Sequence, residues 1–514
     1  MNTTQKHVSG QETGHVNTCA AVSASQDGCT NTPRSREAIS YCEGTTVHIL
    51  HGERICPPLV LVAIMLVIAS FQLNATMLSP AIGDMATRLG TNAGVIGWSS
   101  MLFLSVAAGL AIFFPPLADK IGRRTSLLIS VAFMVIGTVL VIVSDSVWLL
   151  MVGRFLQGFC GATFALGNLT LRTILPAKKY GFYLGLVAAI NSGVAGIDTL
   201  AGGLIVDFAG YKGIFCTILI IEILAIVGVI LWVPETKVPA AQKMDWGGAL
   251  SLTGCLWSAN MMLTFGFGSW GWMSSYTLTA LACSIIFGAV FVYFESHAAF
   301  PLLPLSELLN RHTWGLATTT LFTMASAFSV LIYLVPAVAQ DIHAGLGMGG
   351  TVSALMYLMP FSLVGWFFAP FVGKLAPKWG YRVMLRLGLA GSIVLLFALV
   401  VMGFQNRWAL FGIAVLMGLT FSALSNTTLN AMGVLYASAS RPGVLPGITS
   451  AAFNLGAGIG TGIMSSMVAS SVAVSGSALV GYHHAALVGC VCACVALVFA
   501  FVLPAKHTQA GEKI

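Results

Sequence analysis

Charged side chains are scarce: Asp, Glu, Lys and Arg make up 8% of the 514 residues, roughly a third of their share in a soluble domain. Set against 57% apolar residues and a mean hydropathy of +0.90, that scarcity excludes a water-soluble globule. Lipid is the solvent this chain is built for. Also lacking are a Gly-x-x-x-x-Gly-Lys-Ser/Thr phosphate loop, a His-Glu-x-x-His pair and any domain-sized polar segment between apolar runs. ATP-driven pumping and metalloenzyme chemistry therefore have no footing, and the expectation is of no enzyme, no resident cofactor and no metal. Cys42, His48, His51 and Cys56 fit no zinc spacing, while Cys490, Cys492 and Cys494 read as small apolar filler in a helix.

What is present is apolar length. Windows of about twenty apolar residues, long enough to cross the hydrocarbon at about 1.5 Å per residue, recur from residue 57 to residue 503. Fourteen such spans can be counted, so the expected fold is all-α and integral to the membrane. The 56 glycines and 18 prolines, disruptive in water, suit helices that approach closely and kink within lipid. Sixteen Lys and Arg follow the even-numbered spans, and only Arg88, Lys212 and Arg407 occupy the opposite loops. This asymmetry places both termini in the cytoplasm of a protein of the cell membrane. The formal charge of +7 is spread over these loops rather than gathered in a patch, so no nucleic-acid partner is expected. Residues 1–56 are polar and precede the first apolar run, reading as a disordered cytoplasmic tail; residues 504–514 form a second tail.

The chain also repeats itself. PPLADKIGRR after the second span is echoed by GKLAPKWGYR after the tenth, aligning Gly122 with Gly380 and Lys120 with Lys378. Matching loops at matching places are the trace of a duplicated transporter. The expected organisation is a six-helix bundle over 57–233, a linker with two extra helices over 234–312, and a second six-helix bundle over 313–503.

These loops resemble the major facilitator superfamily, and the span count resembles its fourteen-helix drug:proton antiporter branch. The resemblance rests on Pro115, Leu117, Ala118, Asp119, Lys120, Gly122, Arg123 and Arg124 in the first cytoplasmic motif. It is extended by Arg154, Gln157, Gly158 and Ala162 in the fourth span, and by Asp245 to Gly248, Glu295 and Pro301 to Leu305 around the inserted helices. The chain departs from the family in the fifth span, where Asp198 and Thr199 stand in place of the Gly-Pro pair of antiporters. In the first span Gln72 and Asn74 stand where related proteins often carry an acid. The resemblance implies alternating access driven by the proton gradient. Its partners are the lipid bilayer, protons and a small organic substrate, and a monomer suffices. Multidrug efflux, meaning export of an amphipathic compound in exchange for protons, is the first expectation. Proton symport importing a specific organic solute is the alternative, and a non-transporting sensor the third reading.

Three ionisable residues lie deep within spans: Arg154, Asp198 and Glu222. Counting residues from the span ends puts all three in one layer, roughly 10–15 Å beneath the outer surface. A lone charge there costs several kcal/mol, so the simplest accommodation is an Arg154–Asp198 pair that keeps Asp198 ionised and leaves Glu222 neutral. Asp198 is then either a coupling or binding site or a permanent pair fixing helix registry. With Asn74 and Gln157 these three complete the set expected to serve proton coupling or substrate binding. The second bundle offers only Asn426, Asn430 and Asn454 at comparable depth. Asp119, Arg123 and Arg124 are expected to form a conformational latch across the half-bundle. Gly456, Gly458, Gly460 and Gly462 read as faces for tight helix packing.

Overall fold

The computed structural model describes residues 48–50, 53–55, 57–91, 93–174, 177–235, 246–267, 270–298, 310–341, 345–404, 406–437, 444–475 and 478–503. Outside them, or with side chains outside them, lie most of the N-terminal tail with its Cys and His residues, the Asp119 side chain, Asp245, Pro301 to Leu305 and the tail 504–514. The chain divides into Met1–Ser40 and Tyr41–Ile514, and the description concerns the second unit. Within the tail expected to be disordered, β1 (His48–Leu50) pairs antiparallel with β2 (Glu53–Ile55), so six residues of it are ordered as a hairpin.

The rest is helical. The first bundle comprises α1 (Pro57–Thr76), α2 (Ile82–Arg88), α3 (Ala93–Ile121), α4 (Arg123–Val143), α5 (Val147–Gln157), α6 (Thr163–Ile174) and α7 (Ala177–Trp232). A hairpin of α8 (Trp246–Phe267) and α9 (Ser275–His297) follows. The second bundle holds α10 (Arg311–Thr323), α11 (Val335–Gln340), α12 (Gly350–Ser353), α13 (Met359–Trp379), α14 (Tyr381–Ala398), α15 (Arg407–Met417), α16 (Thr427–Leu435), α17 (Val444–Ser475) and α18 (Leu479–Val502). Several of these run on into one another through π-helical turns, such as Met324–Phe328 and Gly418–Asn426.

Among the described residues, twelve helices are long and apolar enough to cross a membrane, against an expectation of fourteen. Two of the expected spans fall within one continuous stretch. Helix α7 is 56 residues long and breaks at Gly210, whose φ of 68° is open to glycine alone at little cost. The helix restarting at Tyr211 is capped from α2: the Asp84 carboxylate accepts from the Tyr211 amide at 2.8 Å while Arg88 donates to Asp84 at 2.9 Å. An acid at a helix N-terminus answers both the unpaired amide and the helix dipole. The second difference is α8, whose 22 residues include buried Ser258, Asn260 and Thr264.

The duplication read from the loops is present in the backbone. Gly122 and Gly380 start α4 and α14 with φ of 101° and 93°. Immediately after them, Arg124 donates to the Ile230 carbonyl at 2.6 Å and Arg382 to the Leu503 carbonyl at 3.1 Å. Each arginine thus ties its helix to the C-terminal turn of the last helix of its own bundle, where carbonyls lack intrahelical partners. At the end of the molecule away from these basic loops the two bundles touch. Ser79 donates to the Ile332 carbonyl at 3.2 Å, and Thr351 to the Asp207 carboxylate at 2.7 Å.

Candidate functional site

Helix α5 delivers Arg154 to the centre of the first bundle. Ser146 caps its start, accepting from the Leu149 amide at 3.3 Å. After Gln157 the helix tightens into a 3-10 turn over Gly158–Ala162, where Gly158 and Gly161 lie on the backbone of α3. That approach brings the Phe103 ring of α3 to 4.4 Å from the Arg154 guanidinium, a cation–π contact strengthened by desolvation. Arg154 is fully buried. It donates to the Asn74 carbonyl at 3.2 Å through both terminal nitrogens and to the Gln157 side-chain oxygen at 2.8 Å. Asn74 lies in the last turn of α1, so the guanidinium meets the negative end of a helix rather than a carboxylate.

The network continues from there. Gln157 donates to the Thr138 hydroxyl at 2.8 Å, and Thr138 donates to Glu222 Oε1 at 2.9 Å. Asn74 Nδ2 donates to the same oxygen at 3.0 Å. Arg154, Gln157, Thr138, Glu222 and Asn74 thus form one chain of hydrogen bonds linking α1, α4, α5 and α7. Three buried atoms in it have no partner: Arg154 Nε, Glu222 Oε2 and Asn74 Oδ1. So many unsatisfied polar atoms in one spot mark a place where a proton or a water can be received.

Asp198 stands apart, and the expected Arg154–Asp198 pair does not form. Among the described residues the ion pairs are Arg88–Asp84 and Lys212–Asp145, each at 2.9 Å, so two of the three basic residues on the sparsely charged side are neutralised locally. Asp198, 4% exposed, receives hydrogen bonds from the Thr76 hydroxyl and, at 3.2 Å, from Thr199. The reason lies in α1. Asn74 and Thr76 are two positions apart, hence about 200° around the helix. Asn74 turns to Glu222 and Thr76 to Asp198, so the two carboxyl groups lie on opposite flanks of one helix. Counting depth along spans could not separate them, because depth says nothing about azimuth.

The structure brings Asn74, Arg154, Gln157 and Glu222 together and leaves Asp198 with partners that sequence reasoning missed. Thr76, Thr138 and Phe103 carry no signal in an apolar span. Arg123 donates to the Leu169 carbonyl at 2.6 Å and Arg124 to Ile230. These bonds tie α4 to α6 and α7 inside the first bundle. Glu235 joins them, accepting from the Thr125 hydroxyl at 2.7 Å. Three further buried amides have atoms without a partner: Asn168 on α6 through both amide atoms, and Asn260 on α8 and Asn454 on α17 each through the oxygen.

A helical bundle pair with a polar layer sealed inside its apolar helices defines a multi-pass membrane carrier. The profile of the Major Facilitator Superfamily matches residues 64–461, and the chain belongs to that family of secondary transporters. A uridine/deoxyuridine transporter of Lactococcus lactis subsp. cremoris (strain MG1363) is 36% identical over 407 residues, covering 77% of this chain and 84% of the relative. The multidrug resistance protein Stp of Mycobacterium tuberculosis (strain CDC 1551 / Oshkosh) is 27% identical over 391 residues, 75% of this chain and 71% of that one. Among solved structures, the xylose transporter XylE from E. coli, in a partially occluded inward-open conformation, matches with a TM-score of 0.58. That match has 12% identity over 85% of this chain and 96% of the other. The transporter PepTSo matches with a TM-score of 0.59 and 13% identity over 86% and 97%. These last two speak for the fold alone.

Proposed function

We propose that this protein imports a pyrimidine nucleoside of the uridine class in symport with protons, by alternating access between its two bundles. The observation that carries the coupling is Asp198: a buried carboxyl group held by hydroxyls, with no cation at ion-pair distance among the described residues. Such a group can gain and lose a proton without breaking an ion pair, which a locked Arg154–Asp198 pair could not do. The nucleoside reading draws on the uridine/deoxyuridine relative and on chemistry. A nucleoside is neutral and needs amide partners for its base edge and hydroxyls rather than a counter-charge. The unpaired amides of Asn168 and Asn454, 3% exposed each, are of that kind.

In this reading the break at Gly210 and helix α8 supply the thirteenth and fourteenth crossings. Both termini are cytoplasmic, the cell membrane is the site of action, a monomer is sufficient, and the proton gradient is the energy source with no resident cofactor. Arg123, Arg124 and Asp119 act at the cytoplasmic end, with the two arginines stiffening the first bundle there. Export of amphipathic compounds is the second reading, favoured by resistance proteins such as Stp among the relatives. Proteoliposomes acidified outside test both: labelled uridine should accumulate inside and be displaced by deoxyuridine but not by amphipathic cations. Uridine left at equilibrium, with a dye or drug moved against its gradient, would overturn the nucleoside reading.

A further inference from the structure

The inserted hairpin has a role in the transport cycle that can be read from its two sides. Along its whole length α8 is tied to the first bundle by directional contacts. Trp246 packs on Phe113 with ring centroids 5.4 Å apart, Trp257 on Phe155 at 6.5 Å, and Phe265 on Trp98 at 6.4 Å. Between these rings Asn260, fully buried, donates to the Ser105 hydroxyl, and Thr264 donates to the Met101 sulfur at 2.8 Å. Ser105 and Met101 both belong to α3. A Cβ at Gly109 of α3 would lie 2.5 Å from a Thr253 methyl, so the bare backbone there admits α8.

Toward the second bundle the same helix presents a different surface. The hydrogen bonds that Asn260 and Thr264 make outside α8 go to α3, whereas α17 meets these two side chains with glycine. A Cβ at Gly458 would lie 3.0 Å from Asn260 Nδ2, and one at Gly462 would lie 2.6 Å from Thr264 Oγ1. Further along, Ala249 and Phe291 of the hairpin join Ile448 and Ala451 of α17, with Ala111 and Ile112 of α3, in one apolar cluster. The glycines of α17 thus divide into two tracks. Gly456 and Gly460 face Leu321 of α10 and Ala325 just beyond it, inside their own bundle, while Gly458 and Gly462 face the seam of the hairpin with Met101, Leu104 and Ser105 of α3.

We infer that the α8–α9 hairpin is carried by the first bundle and, together with α3, serves as a bearing on which the glycine face of α17 slides as the bundles rock. Directional ties fix one partner in register, whereas a face of small residues such as Gly458 and Gly462 can shear at little cost. Helix α9 rides along through Gly254 and Gly247, where a Cβ would lie 3.0 Å and 2.8 Å from the rings of Phe287 and Phe294. The inference rests on alternating access, but not on which solute is carried.

Three exposed positions report it in the full chain: Trp148 on the first bundle, Met273 on the hairpin turn and Val474 on the second bundle, 84%, 86% and 89% exposed. Spin labels placed there pairwise through a non-canonical amino acid leave the native cysteines untouched. Distances are measured in acidic and alkaline buffer, with and without uridine. Between conditions the Trp148–Val474 distance should shift, Met273–Val474 should shift with it, and Met273–Trp148 should stay constant. A constant Met273–Val474 distance beside a changing Met273–Trp148 distance would assign the hairpin to the second bundle and overturn the inference, as would changes in both. A Trp148–Val474 distance that never moves would instead refute the rocking on which the transport reading also depends.

Discussion

Replacing Asp198 with Asn isolates the coupling step from the fold. The Thr76 hydroxyl has one hydrogen and two acceptors in reach, the Gln72 carbonyl at 2.8 Å and Asp198 Oδ2. When that hydrogen goes to Gln72, the contact with Oδ2 needs a hydrogen from the carboxyl group itself. When the carboxyl is ionised, Thr76 must turn its hydrogen to Asp198 and release the carbonyl of its own helix. Proton transfer thereby moves a hydrogen bond from within α1 to between α1 and α7, the helix that also carries, on its opposite face, the Thr351–Asp207 contact joining the bundles. Asparagine copies the protonated shape, with one amide hydrogen donating to Thr76 and its oxygen accepting from Thr199. Both hydroxyls keep a partner and only the second amide hydrogen is added, at a cost in stability of about 1 kcal/mol. Its effect on energetics is larger. Each proton carried down one pH unit is worth about 1.4 kcal/mol, or about tenfold accumulation of solute. In proteoliposomes with a one-unit gradient, the native protein should concentrate uridine by about that factor per proton. Asp198→Asn should bring the ratio down to unity, while counterflow exchange of uridine persists. Concentration by Asp198→Asn equal to that of the native protein would refute the assignment.

Two further outcomes follow from the geometry. Thr138→Val keeps the shape but leaves the Gln157 amide donor without its acceptor. It should therefore lose about 1–3 kcal/mol, read as a lower Tm in detergent, and Thr138→Ser should restore it. Gly122→Ala and Gly380→Ala should each lose about 1–3 kcal/mol because both positions hold a positive φ. Only at Gly122 would the new Cβ also run into the Glu235 carboxylate, whereas nothing lies within 4 Å at Gly380. Gly122→Ala should consequently unfold at the lower temperature, and equal losses would contradict the Glu235 contact.

The apolar spans, the basic loops and the Gly122–Gly380 repeat were legible in the chain because lipid imposes a one-dimensional rule. Backbone polar groups must be paired within each crossing, so length and hydropathy alone mark the helices. The same rule made Arg154, Asp198 and Glu222 visible as exceptions. What one dimension does not carry is the direction in which a side chain leaves its helix. The Arg154–Asp198 pair was the natural guess at equal depth, but Asn74 and Thr76 send the two acids to opposite sides of α1. Thr138 and Phe103, ordinary residues of apolar spans, become site residues only because α3 and α4 pack beside α5.

The glycines of α17 show the same division. Their spacing announced two small faces, yet only the packing shows that one receives α10 and the other the inserted hairpin together with α3. The sequence by itself therefore determined a duplicated helical membrane protein with a few costly polar residues sealed inside. Tertiary structure alone decided which of those residues meet, because hydrogen bonds depend on azimuth and helix contact, and neither is written in the order of residues along a span.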